Sequence, residues 1–170
     1  MGLLKKFRKA VKRRRSCMGL LRGPGRDLDR TFPDRRDLKR YSISPEVCID
    51  VYWKHVNQVG DGTALSLYVL GHEVLKFDCL GPDDGHFHAE FMSPDKPRES
   101  RLFFAEKSHA AQIDRTLFEL LHNVPYYLQR HPNRDVRALV FPVEKVSGLE
   151  AELRPLMLEY QERVERSCSS

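Results

Sequence analysis

Through the middle of the chain, apolar and polar residues alternate with a period of two. In residues 47–56, Val47, Ile49, Val51 and Trp53 fall on one side of an extended backbone and Cys48, Asp50, Tyr52 and Lys54 on the other. Residues 73–80 do the same, with Leu75, Phe77 and Cys79 opposing Val74, Lys76 and Asp78. In residues 86–92, Phe87, Ala89 and Phe91 oppose His86, His88 and Glu90. Together with residues 63–70 these stretches predict four strands, each with one face for a core and one polar face. Gly60-Asp61-Gly62 and the run Gly81-Pro82-Asp83-Asp84-Gly85 separate them as turns, and connections this short imply antiparallel neighbours in a meander. Residues 101–105 add a short fifth strand, and residues 136–143 read as a further one.

Towards the C-terminus the period becomes that of a helix. Ala110, Ile113, Leu117, Leu120, Leu121 and Val124 form an apolar stripe that predicts a helix over residues 108–130, bent or ended near Pro125. Leu149, Leu153, Leu156, Met157, Tyr160 and Val164 predict a second, opening at the capping-box spacing Ser147-Gly148-Leu149-Glu150, with Pro155 kinking it or marking its start. The expected fold is α+β: a four- to five-stranded antiparallel meander with two helices from the C-terminal half packed on its apolar face.

Register follows from matching faces. A five-residue loop 81–85 sets Leu80 opposite His86, Asp78 opposite His88 and Lys76 opposite Glu90, apolar meeting apolar and polar meeting polar. Between the second and third strands a two-residue turn at Gly71-His72 would pair Leu67 with Lys76. A three-residue loop Gly71-His72-Glu73 with a bulge is preferred, aligning Ser66, Tyr68 and Leu70 with Lys76, Asp78 and Val74.

Charge separates the ends of the chain. The net +5 of the 170 residues hides 15 Lys or Arg against four Asp in residues 1–40, a surplus of +11, and leaves the remainder at −6. Leu3, Leu4, Phe7, Ala10 and Val11 recur at helical spacing among Lys5, Lys6, Arg8, Lys9, Lys12, Arg13, Arg14 and Arg15, in outline a basic amphipathic helix. Its expected partner is a polyanion: the phosphates of RNA or DNA, or an anionic membrane surface. A mitochondrial transit peptide and a plain solvated tail are the competing readings, the first because residues 1–26 contain no acid. Lys6 stands where a myristoylation motif wants Ser or Thr. Gly23-Pro24-Gly25, Phe32-Pro33-Asp34 and Ser44-Pro45 read as a linker. Residues 1–40 are thus expected to be arm and linker, and residues 41–170 a single α+β domain. Four scattered cysteines and no long apolar run suit a cytoplasmic protein, with mitochondrial or membrane-peripheral placement through the arm as alternatives.

Candidate chemistry lies on the polar sheet face. The sequence His86-Phe87-His88-Ala89-Glu90 puts three side chains in a row about 6.5–7 Å apart on one strand. Asp78, His86, His88 and Glu90 are the candidate catalytic residues. His88 oriented by Asp78 suits a general base, with His86 or Lys76 assisting a developing anion. Alternatively His86 and His88 share a divalent metal ion completed by a neighbouring carboxylate. A solvated polar face collects the same residues, as the pairs Lys76–Glu90 and Asp78–His88, with no chemistry at all. Trp53, Tyr126 and Tyr127 lie in or beside apolar stripes and are expected to pack in the core. No HExxH, four-ligand Cys/His set or phosphate-binding glycine loop is present.

Two functions are compatible with these residues. One is a nucleic-acid-associated hydrolase, a ribonuclease or toxin-like enzyme, in which the arm binds phosphate and the His/carboxylate face does the chemistry. The other is a non-catalytic adaptor tethered to membrane or nucleic acid by its arm, its domain presenting surfaces to a protein partner.

Overall fold

The computed structural model describes residues 35–56, 60–89 and 101–168, and their side chains except at 56, 60 and 164–168. The arm residues Lys5, Lys6, Arg8, Lys9, Lys12, Arg13, Arg14 and Arg15, and Glu90, lie outside the described residues.

Six strands, β1 (Arg35–Ser44), β2 (Val47–Val56), β3 (Gly60–Val69), β4 (His72–Cys79), β5 (His86–Ala89) and β6 (Leu102–Phe103), form one antiparallel sheet in sequence order. This is the expected meander with one strand added at the front. The addition is β1, in a segment that reads as linker: it pairs with β2 from Arg35↔Lys54 to Ser44↔Val47. Its pairing is anchored by charge, Arg40 gripping Asp50 through two bonds of 2.6 Å, as well as by Tyr41 and Ile43 in the core. A bulge between Arg36 and Lys39, with Asp37 in the left-handed region at φ 52°, breaks its alternation. A truncation after Arg40 would therefore cut through a paired strand.

Val47, Ile49, Val51, Leu65, Leu67, Val69, Leu75, Phe77, Cys79, Phe87 and Ala89 all enter the core, on the apolar face predicted for their strands. The helices come from the C-terminal half, as expected: α1 (His109–Phe118), a π-helical turn (Glu119–Asn123), α2 (Val124–Arg130), α3 (Arg134–Arg137), α4 (Val143–Ser147) and α5 (Glu150–Cys168). α1 packs on β4 and on α5, and α5 on β2 and β3. Ile113, Leu117, Leu153 and Met157 supply their buried face, and Leu120 of the π-helical turn extends it. The chain stays helical through Pro125 because the wider π turn precedes it and the proline falls in the first turn of α2, where its missing N–H costs nothing. No helix among the described residues is long and apolar enough to cross a membrane.

Residues 136–143 are not a strand. Asn133 caps a short helix, its side chain accepting from Asp135 N at 2.8 Å, and Pro142 precedes α4. Val136 and Phe141 reach the core singly while Val140 is exposed, so the apolar run is a string of separate anchors. Ser147, expected to cap α5, closes α4 instead. Trp53 is partly buried against the core and Tyr127 is inside it, whereas Tyr126 is half exposed beneath Arg130.

The hairpins differ from expectation in register; Val74 and Leu70, expected on the polar face, pack on the core around the β3–β4 bulge and turn, and the polar residues keep their face. Between β3 and β4 the turn is two residues, Leu70-Gly71, both at positive φ, the conformation that matches strand twist. The expected bulge is present between Leu67 and Tyr68, and Ser66 aligns with Lys76; Tyr68 faces Glu73 and Ala64 faces Asp78. Between β4 and β5 the pairs are Asp78↔His86 and Lys76↔His88, two residues from the predicted register. Gln112 of α1 is the reason. Its side chain donates to the carbonyls of Gly81 and Glu106 (2.7 and 2.9 Å) and accepts from Gly81 N–H (3.1 Å). It lies so close to Gly85 that a Cβ there would stand 2.2 Å from it. The connection is thus drawn out around a buried amide, and a shift of two leaves every side chain on its own face. Gln112→Ala removes the side-chain partner of the buried Gly81 N–H and of the part-buried Glu106 carbonyl, while Gly81 O keeps its bond from Gly85 N–H; it is expected to cost about 2 kcal/mol, read from the urea midpoint. An unchanged midpoint would show that the loop holds itself.

Candidate functional site

Four strands carry one rung of the polar face: Tyr52 of β2, Ala64 of β3, Asp78 of β4 and His86 of β5. Because β3 presents only Gly62 and Ala64 here, Lys54 can reach over it, and its Nζ lies 2.8 Å from Asp78 Oδ2. Lys76 Nζ is 3.5 Å from the same oxygen, His86 Nε2 3.6 Å and His88 Nε2 4.0 Å. The structure thus brings together three of the four predicted residues, Asp78, His86 and His88, and adds two lysines. Lys76 was visible as an assisting group; the reach of Lys54 was not.

The face is not solvated. Asp78 is fully buried and the His86 side chain is 6 % exposed; His88 at 12 % and Lys76 at 20 % form the rim of the cluster. Burial on its own would push the Asp78 carboxyl up. Lys76 and Lys54, with the Lys54 hydrogen bond, more than reverse this and hold it at about 2. Lys54 is drawn below the ordinary lysine range by burial and by Lys76, against the pull of Asp78. Asp78 Oδ1 has no hydrogen-bond partner among the described residues.

The two imidazoles are set by their neighbours. His86 Nδ1 lies 2.6 Å from the carbonyl oxygen of Asp84, which can only accept, so the proton of the neutral ring sits on Nδ1 and Nε2 carries a lone pair. His88 Nε2 is 3.0 Å from that lone pair, an N–H donor to it, with the rings edge to face. Burial lowers the His86 pKa, and the Asp84 carbonyl and Asp78 do not restore it. His86 is thus a neutral base beside an N–H donor, facing a carboxylate already neutralised by lysine.

Asp78, His86 and His88 offer three ligand atoms within 4.8 Å of one another, a set with the spacing of a cation site. Charge works against a dication there. A dication here would stand beside two ammonium groups, one of them bonded to the carboxylate it needs. The rest of the face is balanced: Arg35 reaches Tyr68 and Glu73 (2.8 and 2.9 Å) and lies over the Tyr52 ring, Arg40 pairs with Asp50, and Ser66 donates to Glu73. Arg35, Arg40, Lys54 and Lys76 outnumber Asp50, Glu73 and Asp78.

No protein-family model matches the chain, and no curated protein or solved structure matches it either.

Proposed function

We propose that the protein is a metal-independent ribonuclease acting at the Asp78–His86–His88 cluster. What carries the reading is one buried carboxylate shared by two lysines and two histidines, the donors and base that a phosphodiester displacement uses. His86 Nε2 takes the proton of the 2′-hydroxyl, whose oxygen forms a bond to phosphorus. The bond from phosphorus to the 5′-oxygen breaks, and that oxygen takes the Nε2 proton of His88, which the proton gained by His86 replaces across the 3.0 Å between the two nitrogens, so both rings end neutral. Lys76 and Lys54 offset the charge gathering on the non-bridging oxygens, while Asp78 keeps both lysines in place. A 2′,3′-cyclic phosphate and a 5′-hydroxyl leave. The arm, with Lys5, Lys6, Arg8, Lys9, Lys12, Arg13, Arg14 and Arg15, adds phosphate affinity that falls with salt.

RNA is the substrate because an internal nucleophile removes the need for a metal-activated water. The test uses labelled single-stranded RNA, the same oligonucleotide with one 2′-deoxy residue, and DNA, each with and without EDTA. Cleavage is expected in RNA, absent at the deoxy residue and in DNA, and insensitive to EDTA. Cleavage abolished by EDTA would put a metal at His86 and His88 after all. Binding without cleavage would sink the enzyme reading in favour of the adaptor.

A further inference from the structure

We propose that the exposed ring of Phe103 on the edge strand β6 stacks on the nucleobase of single-stranded RNA beside the scissile phosphate. The inference rests on the ribonuclease reading and assigns that site its base-binding element. Phe103 is directly opposite His86 in the ladder, its ring centroid 5.8 Å from the imidazole. It is 60 % exposed, although its neighbour Phe104 is buried against Phe87 and ties the strand down through its N–H to Gly85 O at 3.0 Å. The alternation that buries Phe104 is what turns Phe103 to the His86 side.

Phe103 touches the His86 ring and keeps most of its own surface in solvent beside the polar cluster. Two other exposed aromatic rings, Phe118 and Tyr126, lie beneath Arg115 and Arg130. No guanidinium among the described residues lies over Phe103. Arg101 precedes it by two residues, is exposed, and acts on His86 through its charge. A flat apolar ring and a guanidinium beside an acid/base cluster match a base and a flanking phosphate beside a scissile phosphate. Stacking tolerates any base, so sequence preference from this subsite is weak.

The experiment is steady-state cleavage of a short fluorogenic RNA by the full chain and by Phe103→Ala, Phe103→Leu and Phe103→Tyr. Phe103→Ala is expected to raise KM about tenfold, with a smaller change in kcat. Tyrosine is expected to restore KM and leucine to leave it high. An abasic residue at the stacked position erases the difference between wild type and alanine. An unchanged KM, or leucine serving as well as tyrosine, would overturn the stacking. So would a loss confined to kcat, which would make the ring a support for His86. If the wild type cleaves no RNA, the ribonuclease reading falls, and stacking is decided separately by Phe103→Trp titrated with a 2′-O-methyl oligonucleotide. Quenching beyond that of wild type, whose only tryptophan is Trp53, supports the subsite; its absence refutes it.

Discussion

Replacing His86 by alanine is expected to lower kcat/KM for RNA cleavage by about 100- to 10,000-fold. The lone pair on Nε2 is held toward the cluster by the Nδ1–H bond to Asp84 O, so the base is oriented before substrate arrives. His88→Ala is expected to cost a similar factor, and the double variant little more than the worse single one. The two rings share one proton across 3.0 Å, and removing either disables the pair. A double variant whose loss equals the product of the single losses would show that the rings act independently.

The pH dependence carries the same information. Burial keeps His86 below the ordinary histidine pKa; Arg101 and Lys54 push the same way, and Asp78 and the Asp84 carbonyl oppose them without prevailing. A lowered pKa leaves the base form present at lower pH. The acidic limb of kcat/KM is therefore expected below about pH 6.5. An acidic limb above that value would mean that His86 carries its proton in the resting protein and acts as the acid.

What could be read from residue order alone was what depends on period two. Val47–Val56, residues 75–80 and residues 86–89 show their faces without any partner, because an extended strand turns alternate side chains to the core whatever lies beside it. Face membership alone placed Asp78, His86 and His88 together, and a register error of two could not undo that. What escaped depends on contacts from far along the chain. The β4–β5 register is set by Gln112, on a helix that follows both strands. β1 hides because Arg35-Arg36-Asp37-Leu38-Lys39-Arg40 has no apolar alternation; its signal is complementarity to Asp50 and Glu73 on other strands. Lys54 joins the cluster only because Gly62 and Ala64 leave the way open. Residues 136–143 mislead for the opposite reason, an apolar run with no strand to pair with.

Asp78→Asn is expected to destabilise the protein by about 3–5 kcal/mol, lowering its melting temperature by roughly 10 °C. The amide fills the same space and removes the anion that, among the described residues, is ion-paired to both ammonium groups, so Lys54 and Lys76 are left repelling each other. The cost comes from the stranded charge, which a second substitution can reveal. Lys54→Met in the Asp78→Asn background is expected to recover much of the loss, although each change alone removes the same ion pair. Acid titration gives an independent reading. Folding holds the Asp78 carboxyl at about 2, below the value of an unfolded aspartate near 3.9. Its contribution of about 2 kcal/mol is fully present above pH ~4 and is lost as the pH falls through about 2. Wild type should therefore lose stability over that interval more steeply than Asp78→Asn, which has no carboxyl there to protonate. Parallel acid curves for the two proteins would show that Asp78 is not ionised in the fold, and would remove the anchor on which both lysines, and the chemistry assigned to them, depend.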